Sequence, residues 1–228
     1  LGDFTWAEIQ DIYAQQDLDF MSDPASVITD IQQWVVDETN EAINTGPLEG
    51  TYTFADGTVY EGTFVDDLFN GQGTMTWTNG NVYVGEWVDG AITGQGTMTW
   101  TNGDVYVGAF VDGVKEGQGT MTWTDGDTYT GAWVDGAITG QGTYTFDDGT
   151  VYEGTLVDGQ FNGQGTMTWT DGTVYTGTFV DGARTGQGTY TFDDGTVYEG
   201  TFVDLLFNGQ GTMTLADGTV YVGAWVDD

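Results

Sequence analysis

The sequence predicts a mainly β protein: an elongated single-layer antiparallel sheet of stacked 23-residue β-hairpins, preceded by a short N-terminal helical hairpin. Tyrosine recurs every 23 residues from Tyr60 to Tyr221. Within each interval, two runs rich in β-branched and aromatic residues flank an Asn-Gly or Asp-Gly dipeptide, which is a strong hairpin turn signal. A repeat this regular indicates supersecondary units that each contact only their neighbours.

The first 47 residues differ in composition from the rest and predict two helices. Thr5 and Glu8 have the spacing of a capping box, and Asp23 with Pro24 has the pattern of a second helix start. A hairpin of about 40 residues is too small to hold a core alone. We therefore expect residues 1–47 to cap the repeats or to act in assembly.

Residues 48–228 form the predicted repeat array. A half unit spans 49–59, seven complete units span 60–220, and a second half unit spans 221–228. The seven complete units begin at these tyrosines: Tyr60, Tyr83, Tyr106, Tyr129, Tyr152, Tyr175 and Tyr198. Each unit supplies two strands, so the array predicts a sheet of about 16 strands and roughly 80 Å in length.

The length of the loop at Asn79-Gly80 decides which side chains share a face. A two-residue loop would place Trp77 opposite Val82, whereas a three-residue loop with Gly80 as a bulge shifts the register by one. A one-residue slip moves every side chain to the other face of a strand. Because the three-residue loop separates apolar from polar residues cleanly, we predict that one face holds Met75, Trp77, Tyr83, Gly85 and Trp87.

Each unit contains a tyrosine and glycine skeleton, Tyr83-x-Gly85-x-Trp87-x-x-Gly90-x-x-x-Gly94-x-Gly96, followed by Asn102-Gly103. This pattern resembles the MORN (membrane occupation and recognition nexus) repeat. The resemblance implies hairpins laid side by side in a twisted single-layer sheet with a grooved face. It also implies largely non-catalytic roles: protein scaffolding, capture of a helix or peptide, self-association, and attachment to acidic phospholipids.

The charge of the chain argues against the lipid role. It carries 36 acidic residues and two basic ones, Lys115 and Arg184, for a formal net charge of -34. Nucleic acids and anionic membranes attract proteins through Lys and Arg, so neither is an expected partner. The charge favours solubility and cationic partners or counter-ions.

The residue inventory predicts that the protein is not an enzyme. The chain has no His and no Cys, and its only serines are Ser22 and Ser26. Nucleophile–base pairs and ordinary zinc sites are therefore excluded. No cofactor is expected. Calcium is an alternative, because hard cations bind carboxylate oxygens. Its candidate ligands are the turn aspartates Asp89, Asp112, Asp135, Asp158 and Asp181.

The expected contact surface combines the aromatic face with the residues after each Val-Asp, which vary most between units. We expect this variable column to lie in a loop and either to pack over the sheet edge or to form a contact surface. The candidate partner-binding or assembly residues are Trp77, Tyr83, Trp87, Tyr106, Tyr129, Trp133, Phe69, Ile92, Ile138, Phe161, Phe207, Tyr52, Phe54, Tyr221 and Trp225.

The favoured function is a structural protein that assembles head to tail into an extracellular filament or a virion or tail fibre. In that assembly, the half units of two copies would complete one hairpin, and such contacts do not close. The expected location is extracellular, on a cell surface or in a virion, and Leu1 in place of Met fits a processed chain or a fragment of a longer one. One alternative is a scaffold that binds another protein's helix or peptide in the aromatic groove. Another is an ice-binding protein with threonine ladders, beginning with Thr74, Thr76 and Thr78, although sheet twist opposes a flat lattice.

Overall fold

The computed structural model describes residues 47–226, which fall into two compact units divided between Gly113 and Val114. All regular secondary structure in this range is β-strand, which confirms the mainly β, open antiparallel sheet. None of the described residues belongs to a helix that could span a membrane. The predicted N-terminal helical hairpin lies outside the described residues.

The first unit contains six strands, each antiparallel to the next in chain order. Their bounds are β1 Leu48–Thr53, β2 Val59–Val65, β3 Leu68–Thr76, β4 Val82–Val88, β5 Ala91–Thr99 and β6 Val105–Val111. Even strands have seven residues and odd ones nine, apart from the six-residue β1.

The second unit contains ten strands with the same nearest-neighbour antiparallel order. Their bounds are β7 Val114–Thr122, β8 Thr128–Val134, β9 Ala137–Thr145, β10 Val151–Val157, β11 Gln160–Thr168, β12 Val174–Val180, β13 Ala183–Thr191, β14 Val197–Val203, β15 Leu206–Thr214 and β16 Val220–Trp225. Every connection between neighbouring strands is a short turn, so local contacts build the whole unit.

The turn at Asn79-Gly80 has the three-residue form. The Trp77 N–H donates to the Asn81 carbonyl at 3.0 Å, and the Gly80 N–H donates to the Trp77 carbonyl at 2.8 Å. Gly80 has a φ of 85°, a left-handed conformation that glycine adopts without a Cβ clash. Met75 consequently lies opposite Tyr83, and the predicted register and aromatic face are confirmed.

A second, two-residue turn links β4 to β5. Asp89 and Gly90 both have positive φ, 48° and 82°, as a type I′ turn requires. The Gly90 N–H also donates to the Phe69 carbonyl of β3 at 2.9 Å, which ties the turn to the strand before it. The same bond recurs in both units from Gly113, Gly136, Gly159 and Gly182, and from Leu205.

The variable column after Val-Asp does not form a loop, and this expectation is corrected. Ala91 and Ile92 are the first residues of β5, paired with Val88 and Trp87 of β4. The two-residue turn occupies only Asp89 and Gly90, so the following residues enter the sheet at once. Their side chains alternate between the two faces instead of extending from the edge.

A β-bulge follows each of these turns and was not foreseen. Between β4 and β5, Gly85 pairs with Gly96 and Trp87 pairs with Ile92, so one residue of β4 spans three of β5. Gly94 lies within the longer segment with a φ of 63°. Such a bulge increases the local twist and bends the strand.

Candidate functional site

Each repeat tyrosine packs against a pair of glycines on adjacent strands. The Tyr83 side chain is 0% exposed. A Cβ on Gly85 would lie 2.4 Å from the Tyr83 hydroxyl oxygen, and a Cβ on Gly96 would lie 2.4 Å from Cε2 of the Tyr83 ring, so only glycine fits at these positions. Six other tyrosines are buried to the same degree: Tyr60, Tyr106, Tyr129, Tyr152, Tyr175 and Tyr198.

The hydroxyl of each buried tyrosine bonds to the backbone at the bulge. Tyr83 Oη donates to the carbonyl of Glu86 at 3.1 Å, and Glu86 has no cross-strand partner in β5. Equivalent bonds of 2.9–3.2 Å occur in the other six repeats. Burial raises the pKa of Tyr60, Tyr83 and Tyr152 to about 12, so these hydroxyls are protonated donors at neutral pH.

The variable column covers the outer surface of the tyrosine rings. Phe69 stacks on Tyr60 with a centroid distance of 3.9 Å and an interplanar angle of 18°. Phe161 stacks on Tyr152 at 3.9 Å, and Phe207 stacks on Tyr198 at 4.1 Å. Local packing over the sheet is therefore one use of the column, whereas its use as a contact surface stays a prediction.

The column varies together with two upstream positions. Where the column holds phenylalanine, the upstream pair is Tyr-x-Phe, as in Tyr144-Thr145-Phe146 before Phe161. Where it holds isoleucine, lysine or arginine, the pair is Met-x-Trp. Tyr144 and Phe146 both contact Phe161, with centroid distances of 6.0 and 6.1 Å. Direct contact explains the joint variation, which the sequence contained but the sequence analysis missed.

The candidate contact residues fall into three classes of exposure. Six are buried and have little surface to offer a partner: Tyr83, Trp87, Tyr106, Tyr129, Trp133 and Phe69. Eight are half-buried: Trp77, Ile92, Ile138, Phe161, Phe207, Tyr52, Phe54 and Trp225. Tyr221 alone among them is exposed, at 55%.

The half-buried aromatic residues form two equivalent clusters in the second unit. The first consists of Trp123, Tyr144, Phe146 and Phe161, with centroid distances of 4.8–6.1 Å between contacting rings. The second consists of Trp169, Tyr190, Phe192 and Phe207, with centroid distances of 4.8–6.1 Å. These clusters leave part of each ring accessible for contact on the aromatic face of the second unit.

Both basic side chains lie against aromatic rings. Lys115 Nζ is 4.0 Å from the Trp133 ring centroid, and burial lowers the pKa of Lys115. The Arg184 guanidinium is 5.0 Å from the Tyr190 ring centroid and donates from Nη2 to the Leu205 carbonyl at 3.2 Å. Since these are the only Lys and Arg of the chain, the opposite face is left without a basic residue.

The opposite, polar face of the second unit contains a groove of about 490 Å³. It crosses the strands from β7 to β12. Its lining, which we call the glutamine groove, consists of Gln118, Thr130, Gly131, Gln141, Gly142, Thr143, Glu153, Gly154, Gln164, Gly165, Thr166 and Thr176. Sequence analysis missed it, although a glutamine in every Gly-Gln-Gly segment marked its position.

Polar side chains on this face are held by cross-strand hydrogen bonds. Gln164 Nε2 donates to Thr178 Oγ1 at 2.7 Å, and Gln141 makes the equivalent bond to Thr155. Thr166 and Thr176 share a hydrogen bond of 3.2 Å between their hydroxyls. These bonds restrict the rotamers of the residues that line the groove. The threonine ladder is thus engaged in the sheet in part, and its ice-binding use stays a prediction.

The turn aspartates lie singly, one in each two-residue turn at the end of a strand. Asp89, Asp112, Asp135, Asp158 and Asp181 all occupy the first position of a two-residue turn, with φ of 48–49°. Among the described residues, no three acidic side chains converge to hold an ion. The calcium alternative stays a prediction.

The model of the MORN repeat matches eight successive segments: 49–59, 60–82, 83–105, 106–128, 129–151, 152–174, 175–197 and 198–220. No curated protein matches the chain.

Among solved structures, the chain is similar to the TCP domain of Drosophila melanogaster SAS-4 (dCPAP) in complex with a proline-rich motif of Ana2, at 16% identity and a TM-score of 0.45, covering 81% of this chain and 95% of that one. It is also similar to the TCP10 domain of Danio rerio CPAP, at 17% identity and a TM-score of 0.38, covering 78% and 98%. Neither likeness is strong enough to bear on function. The repeat matches cover residues 49–220 of 228, and the chain therefore belongs to the family of MORN repeat proteins.

Proposed function

We propose that this protein is a non-catalytic structural protein that assembles by extending its sheet at β16 with a strand from a second copy. The observation that carries the proposal is the contrast between Tyr221 and the other repeat tyrosines. Tyr221 is 55% exposed, whereas the seven others are fully buried. A Cβ on Gly223 would have no atom within 4 Å, because no strand of the described range lies beyond β16.

Strand β1 has the residues that such an addition needs. Gly50 and Tyr52 stand at the repeat positions that Gly96 and Met98 hold in β5. In the register of β4 and β5, Gly50 of the second copy would lie opposite Gly223. Tyr52 would then lie opposite Tyr221, whose ring would cross both glycines as the other tyrosines do.

Burial of the Tyr221 ring supplies part of the driving force. A buried tyrosine removes 150–250 Å² from water, so covering the exposed half contributes about 2–3 kcal/mol. Backbone hydrogen bonds along the new strand pair would add to this. Charge opposes the contact, because each copy carries a net charge of -34. Salt screens that repulsion, so assembly should strengthen as ionic strength rises.

Gly223→Ala separates assembly from folding. In the separate chain the new Cβ meets nothing. Gly131 is the equivalent residue in a strand that is paired on both sides, and a Cβ there would lie 2.6 Å from the Gly142 Cα of the adjacent strand. In an extended sheet, the new Cβ at position 223 would meet the same clash. Val222→Thr is the matched control, because Thr130 and Thr176 hold this position in fully paired strands.

The measurement is sedimentation velocity with negative-stain microscopy at rising protein concentration, in 50 mM and 500 mM salt, with and without calcium. We expect the unsubstituted protein and Val222→Thr to form linear oligomers in high salt, and Gly223→Ala to stay monomeric. A monomeric unsubstituted protein under all these conditions would refute the proposal. An extracellular or virion location is part of the same proposal, and a monomeric protein would remove the reason for it.

A second candidate is an interaction scaffold, favoured by the two half-buried aromatic clusters of the second unit. A partner helix or peptide would contact Trp123 and Trp169, because Trp133 is already buried. This role predicts a monomer or closed dimer. It also predicts that Trp123→Ala abolishes partner binding and lowers the unfolding temperature less than Trp133→Ala does, because Trp123 is half-buried and Trp133 is buried.

A further inference from the structure

We propose that the glutamine groove binds a proline-rich, lysine-bearing peptide in the polyproline II conformation. The groove lies on the polar face of the second unit, away from the aromatic clusters and from the β16 edge. The inference is independent of the assembly proposed above and goes beyond it.

Side chains flank each glycine of the groove along its strand, as Gln141 and Thr143 flank Gly142. Two residues of a strand span about 7 Å. The glycine backbone therefore forms the floor between two rows of side chains, which are the walls of the groove. A ligand that lies along these rows meets equivalent side chains once in every hairpin.

The direction of the groove excludes strand addition as the mode of binding. The groove crosses β7 to β12, and the strands that line its floor are hydrogen-bonded on both sides. Their backbone groups are therefore occupied by the sheet. A ligand must use the side chains of the walls, so it has to carry free polar groups of its own.

The spacing of the sheet matches the pitch of polyproline II. Neighbouring hairpins are two strand spacings apart, about 9.6 Å. Polyproline II repeats every three residues with a rise of 3.1 Å each, about 9.3 Å per turn, and leaves its backbone carbonyls without internal hydrogen bonds. Every third residue of such a peptide would therefore meet an equivalent position of the groove.

The glutamines supply donors at that spacing. Gln118, Gln141 and Gln164 line the groove, one in each hairpin. A glutamine amide has two N–H donors. Gln141 and Gln164 each use one on a threonine hydroxyl, which orients the amide and leaves the second donor for a peptide carbonyl.

The negative charge of the protein favours a ligand with basic side chains. Glu153 is exposed and lines the groove. Both basic residues of the chain contact aromatic rings on the other face. A cationic ligand is therefore attracted, and an anionic one is repelled by the net charge of -34. Prolines would keep the peptide extended before binding, which lowers the entropy cost of ordering it.

The test titrates the full chain with fluorescein-labelled acetyl-(Pro-Pro-Lys)4-amide, followed by anisotropy in 50 mM salt. Two peptides of equal charge serve as controls: (Gly-Gly-Lys)4, which is flexible, and (Ala-Ala-Lys)4, whose residues favour helix over polyproline II. We expect the proline peptide to bind at least tenfold more tightly than either. Equal affinity for all three, or no binding at millimolar concentration, would overturn the proposal.

A matched pair of variants places the binding site. Glu153→Gln and Glu61→Gln remove the same charge from the same sequence context, Val-Tyr-Glu-Gly-Thr, but Glu61 lies in the first unit outside the groove. We expect Glu153→Gln to weaken binding three- to tenfold, Gln141→Ala to weaken it about fivefold, and Glu61→Gln to leave it unchanged. Equal weakening by both glutamate substitutions would show unspecific attraction and refute the site.

Discussion

Gly131→Ala tests the packing of tyrosine on glycine that defines the fold. A Cβ at Gly131 would lie 2.4 Å from the Tyr129 hydroxyl, 2.6 Å from the Gly142 Cα and 2.7 Å from the Gln141 carbonyl oxygen. Two of these three atoms are backbone of the neighbouring strand. Rotation of the tyrosine alone therefore cannot relieve the clash, and the strand pair has to separate or the ring has to leave its site.

The expected loss in the free energy of unfolding follows from the burial and the hydrogen bond that Tyr129 loses. The side chain is 0% exposed, and complete burial of a tyrosine contributes about 4 kcal/mol at 25 cal/mol per Å². Displacing half of it costs about 2 kcal/mol. Loss of the hydrogen bond to the Ala132 carbonyl, at 3.1 Å, adds about 1 kcal/mol. Alanine recovers about 0.5 kcal/mol through the unfolded chain. We therefore expect a net destabilisation of about 2–3 kcal/mol.

Gly223→Ala is the matched control, because Tyr221-Val222-Gly223-Ala224-Trp225 aligns with residues 129–133. With nothing within 4 Å of the new Cβ, its stability should stay the same or rise by about 0.5 kcal/mol.

The assay is urea unfolding followed by tryptophan fluorescence, at a concentration where the protein is monomeric. Amide hydrogen exchange in β8 and β9 accompanies it, since repeat proteins can open locally. Equal stability and equal exchange of the two variants would refute the reasoning.

Three further predictions concern single side chains. Burial, and to a lesser degree the neighbouring aspartate, raises the pKa of Asp67 to about 6, above its value of 3.8 in the unfolded chain. The favourable contribution of Asp67 to stability is therefore complete below pH 4 and is lost as pH rises through 6. The melting temperature of Asp67→Asn should rise relative to that of the unsubstituted protein between pH 4 and pH 7, and a constant difference would contradict this. Leu205 has a φ of 77° where Gly182 has 83°, so Leu205→Gly should stabilise by about 0.5–1 kcal/mol in urea unfolding, and Gly182→Leu should destabilise by about 1 kcal/mol. Tyr152→Phe removes a hydrogen bond of 2.9 Å to a backbone carbonyl and should cost about 1–2 kcal/mol in the same assay, whereas Tyr221→Phe should cost nothing measurable.

Local signals in the sequence predicted the fold because each contact joins neighbouring strands. The 23-residue period gave the strand count, and Asn79-Gly80 with its apolar neighbours gave the register. The bulge at Gly94 was missed because it depends on pairing with β4, which no local pattern records. The two-residue turn at Asp89-Gly90 was misjudged for a related reason: the variety of residues after it was interpreted as irregular backbone.

The candidate site was harder to predict than the fold. The sequence pattern placed Tyr83 and Trp87 on one face but did not predict their burial. Part of the cover over the tyrosine rings comes from the variable column, as where Phe69 stacks on Tyr60. A single-layer sheet therefore has more of a core than its pattern suggested, and fewer aromatic residues face a partner. The glutamine groove was missed because Gln141 and Gln164 resemble ordinary solvent-facing residues until the strands are placed side by side.

The contact between tyrosine and glycine also bears on how such an array changes its length. Each ring crosses the glycine of its own strand and the glycine of the following strand, as Tyr83 does with Gly85 and Gly96. The contact lies within one repeat, as in residues 83–105, and it is the same from one repeat to the next. Recombination that inserts or deletes a multiple of 23 residues recreates every contact, whereas a shift of one residue would place a side chain beneath a ring. Genes encoding this protein should therefore vary in whole repeats.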